Sequence, residues 1–243
     1  MRRFLLKINA FIKSLVIGAR PNYVFGFLIR PAMSISNTLS MTRWIHKNKN
    51  AEMYNDFFSP KRDYSKRCLL HENIIEKYEL DKTPFEYLEF GVFEGNSFKW
   101  WLNRCSNEAH KFFGFDTFEG LPESWGSYAK GEMFAQLPDI NDSRAKLYKG
   151  LFQDTLPFFL KKEELLNQNR KIIHLDADLF SSTIFALTSL APYLKKGDIL
   201  LFDEFNVPNH EYFAFKIFVE SYYIKYKMIG AVNNYYQVAI MIG

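Results

Sequence analysis

The residues in this sequence best placed to do chemistry together are four carboxylates. Asp176 and Asp178 lie two apart in HLDADLF, residues 174–180, and Asp203 and Glu204 are adjacent in FDE. Each pair follows a short apolar run, 171–175 for the first and 198–202 for the second. Such runs are predicted to be buried strands, so both acidic pairs fall just past strand ends. Carboxylates gathered at neighbouring strand ends repel one another unless a cation sits between them. Oxygen donors without cysteine suit a hard ion, Mg2+ first, then Mn2+ or Ca2+. The plainer alternative has Asp178 capping the next helix while the other three face solvent. His174, inside its run, reads as a core histidine rather than a ligand.

Two further signals stand at predicted strand ends. Residues 89–97, EFGVFEGNS, have the form E-x-G-x-x-x-G-x-S between a strand at 85–90 and a helix at 97–104. Gly91 and Gly95 allow close backbone approach, and Ser97 could cap the helix, whose free N–H groups suit a carboxylate or phosphate. The loop is not G-x-G-x-x-G and lacks the lysine of a P-loop. Asp116 follows a second strand at 111–115, where an acidic side chain can accept from ribose hydroxyls. A turn or helix cap is its alternative.

These signals need elements to hold them. After residue 71 strands and helices alternate: helix 72–80, strand 85–90, helix 97–104, strand 111–115, strand 146–149, helix 156–166, strand 171–175, helix 182–194, strand 198–202 and helix 208–223. Strands 227–231 and 236–242 are predicted to pair as a hairpin across Asn233-Asn234. Apolar strands alternating with helices predict a mostly parallel sheet covered on both faces, the α/β class. Ligands of such sheets bind beyond the carboxyl ends of the strands. The long irregular stretch 116–141 has the length of a lid or binding loop.

Composition sets the limits. The 243 residues divide into a basic N-terminal helical arm, 1–70, and a catalytic domain, 71–243. Cys68 and Cys105 form no C-x-x-C pair, which excludes a disulfide scaffold and a thiolate zinc site and predicts a reducing, cytoplasmic setting. Residues 1–50 hold nine Lys/Arg and no Asp or Glu, although the chain has 27 acidic residues against 31 basic ones. On a helix, Phe4, Ile8, Phe11 and Leu15 form an apolar side, and Arg2, Arg3, Lys7 and Lys13 lie opposite. That helix either meets an anionic membrane surface or docks on the body or a second subunit. Arg20-Pro21-Asn22 ends it, a second apolar run covers 23–29, and 32–67 reads as a connection carrying short helices. No stretch is apolar enough to span a bilayer or to serve as a signal peptide. A homo-oligomer is an open expectation, and no nucleic-acid partner is expected.

Taken together, YLEFGVFEGNS, GFDTFEGLPESW, YAKGEMF, KGLFQDTLP, HLDADLFSST and LKKGDILLFDEF resemble the macrocin O-methyltransferase (TylF-type) family over roughly 84–206. The resemblance implies a Rossmann-like class I methyltransferase fold, a seven-stranded sheet with a C-terminal antiparallel hairpin. It implies S-adenosylmethionine on the loop bearing Glu89, Gly91, Phe93, Gly95 and Ser97, with ribose near Asp116 and Asp176 alongside. It further implies Mg2+ (or Mn2+) held by Asp176, Asp203 and Glu204, Asp178 as general base, and a lid within 123–141. This chain carries Asp203-Glu204-Phe205 where the family tends to have two aspartates and a tyrosine, and Phe180 where it commonly has tyrosine.

The expected reaction is in-line methyl transfer to a hydroxyl of a sugar or glycan-type acceptor. Two alternatives stay open: Asp176-Ala177-Asp178 as the DxD of a metal-dependent glycosyltransferase, and a non-catalytic binding subunit tethered by its arm.

Overall fold

The structure is a computed structural model that describes residues 2–162 and 169–243. Its centre is a sheet of eight strands: β1 (Tyr54–Asn55), β2 (Phe85–Phe90), β3 (Lys111–Asp116), β4 (Ala145–Lys149), β5 (Arg170–Leu175), β6 (Ile199–Phe202), β7 (Tyr226–Val232) and β8 (Gln237–Ile242). Their order is β1-β7-β8-β6-β5-β2-β3-β4. All pairings are parallel except those of β8 with β6 and with β7. This is the Rossmann-like methyltransferase fold, with its terminal hairpin in place.

Alternation within the strands builds a core on each face. Leu88, Phe90, Phe115, Ile173, Leu175 and Phe202 pack on one side. Phe85, Tyr87, Phe112, Ile172, Ile199 and Leu201 pack on the other. Successive strand side chains point to opposite faces, so a strand buried on both must be apolar at nearly every position. Helices α4 (Ser65–Lys77) and α5 (Asn96–Arg104) supply buried residues to one face; α6 (Phe152–Lys162), α7 (Phe180–Leu190) and α8 (Glu211–Ser221) supply the other.

The N-terminal region holds α1 (Arg2–Ala19), α2 (Asn22–Phe25) and α3 (Ile29–Asn48). The break after α1 falls where the sequence places it, with Arg20 at φ 48°. The second half of α3 packs on the body. Trp44 Nε1 donates to the Tyr226 hydroxyl at 2.7 Å, and the Ser40 and Tyr212 hydroxyls lie 2.9 Å apart.

Several expectations are corrected. The sheet has eight strands rather than seven, because the two-residue β1 adds parallel to β7; two residues carry no readable periodicity. The connection expected over 32–67 begins as a 20-residue helix, α3. Pro31 lies in its first turn, where a missing N–H costs no bond. Helix α4 starts at Ser65, not at 72, and Asp63 Oδ1 accepts from the Ser65 amide and hydroxyl at its start. Helix α6 starts at Phe152 and tolerates Pro157 inside. The predicted continuation to 166 lies partly outside the described residues. Helix α7 stops at Leu190 and a short 3-10 turn, Ala191–Tyr193, follows.

Candidate functional site

From β2 the chain runs outward through β3 and β4, then crosses back to β5 and continues the other way through β6. Strand order therefore reverses between β2 and β5, and the crevice there is where α/β sheets bind ligands. A cavity of about 370 Å3 opens at that point. Of the site residues singled out from the sequence, Glu89, Gly91, Phe93, Ser97, Asp116, Asp176, Asp178, Asp203 and Glu204 line it, while Gly95 does not.

The first wall is the turn after β2. Gly91 has φ +95°, and a Cβ there would come within 1.8 Å of the Asp176 carbonyl oxygen. Its glycine is thus required by the β5 end passing behind it, rather than by a ligand alone. Asp116, at the end of β3, holds this turn from the other side. Its Oδ2 accepts from the Val92 and Phe93 amides, both at 2.8 Å, and its Oδ1 from the Phe118 amide at 2.7 Å. A carboxylate oxygen has two acceptor sites, so Oδ1 keeps one for a hydroxyl. The cap reading and the ribose reading of Asp116 are compatible in this geometry.

Ser97 does not cap α5; Gly95, with φ +79°, takes the N-cap position. The Ser97 hydroxyl instead donates to Glu89 Oε1 at 3.0 Å. Glu89 is fully buried, and its Oε2 accepts from the Tyr87 hydroxyl at 2.6 Å. That hydroxyl lies 2.8 Å from His174 Nδ1. His174 is a satisfied core histidine by this network, buried against the His71 ring.

The opposite wall is acidic. Asp176, Asp178 and Glu204 have pKa values pushed up, mainly by burial and further by the neighbouring carboxylates; for Asp178 a hydrogen bond with the Glu204 carboxyl works the other way. Glu211, on α8, is raised by burial and by Glu204. Its Oε2 accepts from the Glu204 amide at 2.9 Å. Glu204 Oε1 accepts from the Tyr236 hydroxyl at 2.8 Å, and its carboxyl, with a pKa raised to about 9, also hydrogen-bonds with the Asp178 carboxylate. Asp178 holds a left-handed backbone, φ 58°, an uncommon state for a non-glycine residue and one that concentrates at working sites.

Among the described residues, Arg67 is the cation paired with this cluster. Arg67 Nη1 lies 3.1 Å from Asp176 Oδ2 and 3.1 Å from Asp203 Oδ1. Burial opposes the charge of Arg67, yet Asp203 and Asp176 together raise its pKa. The sequence reading missed this residue, since it sits in a charged stretch that looked like connection. Tyr236 and Glu211 were missed as well, because they enter from the turn before β8 and from α8. A local signal existed for none of the three.

The donor set fits a divalent cation. His174, Asp176 and Asp203 each offer a ligand atom, all within 4.8 Å of one another. Glu204 falls outside that group, although it lines the same acidic wall. Oxygen donors at this density suit a hard ion.

The irregular stretch 116–141 borders the cavity through Gly120, Leu121, Pro122 and Met133, of which Met133 belongs to the segment 123–141 expected to hold a lid. It is fastened to α7 by a 2.5 Å hydrogen bond from the Ser181 hydroxyl to Glu123 Oε1.

The strand order, the glycine turn and the acidic crevice together define a class: a methyltransferase fold of the Rossmann-like kind. Residues 88–205 match the family model described as "Methyltransferase domain", which bears out the expectation of a methyltransferase enzyme at the level of that domain. The chain is 26% identical over 156 residues to 8-demethyl-8-(2,3-dimethoxy-alpha-L-rhamnosyl)-tetracenomycin-C 4'-O-methyltransferase of Streptomyces olivaceus. The match takes in 55% of this chain and spans 58% of that relative's length. Among solved structures, CalS11, a calicheamicin methyltransferase, is similar with TM-score 0.58 and 18% identity, over 85% of this chain and 91% of that one. The O-methyltransferase NovP is similar with TM-score 0.57 and 18% identity, over 72% and 79%. At these identities the likeness concerns the fold.

Proposed function

We propose that the chain is an S-adenosylmethionine-dependent O-methyltransferase of the TylF-type macrocin family, acting with a divalent cation on a hydroxyl of a sugar or glycan-type acceptor. The observation that carries this reading is the meeting, across one crevice, of the turn after β2 and the carboxylates after β5 and β6. The relative from Streptomyces olivaceus, whose name places its methyl group on a rhamnosyl unit, supports the sugar acceptor.

When bound, the cofactor would supply an electrophilic methyl group and the cation would lower the pKa of an acceptor hydroxyl. The remaining work falls to this chain. The turn at Gly91 and Phe93, pinned by Asp116, forms the cofactor wall, and Oδ1 of Asp116 is free to take one ribose hydroxyl. Asp176, Asp203 and Glu204, which line the crevice together, would hold the ion. Asp178, which lines the crevice beside these ligands, is the general base. Fixing donor and acceptor in line contributes much of the remaining acceleration.

Titration calorimetry tests the reading, with S-adenosylhomocysteine and uridine diphosphate as competing probes in the presence of Mg2+. Saturable binding of the first and none of the second is expected. Binding of the diphosphate alone would turn the DxD motif into that of a glycosyltransferase. Labelled methyl transfer onto a panel of deoxysugar glycosides then checks the acceptor class, and label confined to catechols or to water would remove the sugar.

A further inference from the structure

The least explained part of the molecule is its N-terminal surface. Helix α1 has 18 residues, and every described side chain from 4 to 20 is exposed. Phe4 is 67% exposed, Phe11 65% and Leu15 57%, while Tyr23 and Phe27, beyond the break at Arg20, reach 78% and 74%. A patch of large apolar residues this size is unusual on a protein that meets only water. The body leaves it uncovered, since α3 turns in to pack on Tyr212 and Tyr226 only from about Asn37 onward.

Charge indicates what covers it. The first fifty residues carry nine Lys/Arg and no acidic side chain. Lys7 and Lys13 have four-carbon stems that can lie along apolar surface while their ammonium groups reach outward. No helix of the described residues is long and apolar enough to cross a membrane. Two copies of the arm laid against each other would bring like charges together, whereas an anionic lipid surface accepts the apolar side chains and the cations at once.

We propose that α1 and the segment through Phe27 form a monotopic anchor that lies in the headgroup region of an anionic membrane. The anchor holds the crevice near acceptors presented at that surface. The apolar side chains enter the acyl boundary, and Lys7, Lys13 and Arg20 pair with lipid phosphates. A helix of this length is roughly 27 Å long, enough for about five turns to lie flat on the surface.

Vesicle flotation of the full chain provides the test. The chain should float with phosphatidylcholine vesicles containing phosphatidylglycerol and stay behind with phosphatidylcholine alone. Raising the salt concentration should weaken the association. Lys7→Glu with Lys13→Glu, and separately Phe4→Asp with Phe11→Asp, should each lower partition by about tenfold or more. Both pairs are remote from the crevice, so S-adenosylhomocysteine affinity and thermal unfolding should stay at the wild-type value. The anchor is overturned if the chain ignores anionic vesicles or binds neutral ones equally well. It is also overturned if light scattering shows an oligomer that the Phe4→Asp, Phe11→Asp pair dissociates, for the apolar side would then meet a second copy.

Discussion

Arg67 Nη1 and Asp203 Oδ1 stand 3.1 Å apart, although 136 positions of chain separate them. Asp203 is nearly enclosed, so this contact is a charge pair largely withdrawn from water. The same nitrogen reaches Asp176, and a single guanidinium therefore balances two of the carboxylates proposed to hold a metal. Removing one member of such a pair leaves the other charges uncompensated, which is costly.

Arg67→Met should accordingly destabilise the protein by about 3 kcal/mol, and Arg67→Lys should recover part of the loss. Added Mg2+ should raise the melting temperature of Arg67→Met more than that of wild type, because the divalent ion supplies the missing positive charge. Thermal unfolding with and without MgCl2 reads both effects. Equal Mg2+ shifts in the two proteins would separate Arg67 from the ion site.

Asp178→Asn should lower turnover by roughly a hundredfold or more, the scale of a lost general base. The affinity for S-adenosylhomocysteine should be little changed, since the proposed cofactor wall lies across the crevice. Steady-state kinetics beside calorimetry distinguishes this from a binding defect. Full turnover in the variant would give the proton to another group.

Gly91→Ala puts a methyl group 1.8 Å from the Asp176 carbonyl and forces a left-handed alanine, φ +95°. The variant should lose several degrees of melting temperature and most of its cofactor affinity, as the β2 turn and the β5 end move apart. Gly126→Ala also has positive φ, but nothing lies within 4 Å of its added Cβ. It should keep its cofactor affinity.

A pH effect is expected far from the crevice. Glu86 is fully enclosed in β2, and burial raises its pKa from 4.5 to about 7 despite the nearby Lys171. The folded state thus holds this proton more tightly than the unfolded chain does. Its stabilising effect is complete below about pH 4.5 and is lost as the pH rises through about 7. Glu86→Gln should remove that loss, melting several degrees above wild type at pH 8 and close to it at pH 4.5. Unfolding midpoints measured across this range decide the matter, and parallel curves for the two proteins would contradict it.

The legible parts of the fold were those with period and punctuation. The run at 171–175 and the hairpin across Asn233-Asn234 were readable because strands buried on both faces must be apolar and tight turns demand particular residues. Helix starts were less readable. The starts of α3 and α6 were obscured by Pro31 and Pro157, because a proline in a first turn, or one tolerated within a helix, looks locally like a boundary.

At the site, the sequence by itself determined which groups stand at strand ends: the glycine turn, Asp116 and the two acidic pairs. Pattern and spacing were sufficient, because each belongs to one strand and the turn after it. Only the tertiary structure decided what those groups touch. It set Ser97 and Tyr87 on Glu89, Asp116 on the amides of the glycine turn, Tyr236 on Glu204, and Arg67 between Asp176 and Asp203. These contacts depend on strand order and on helix α4 entering earlier than its apolar pattern suggests. Strand order is set by packing both faces of the sheet at once, and no short stretch of sequence carries that information.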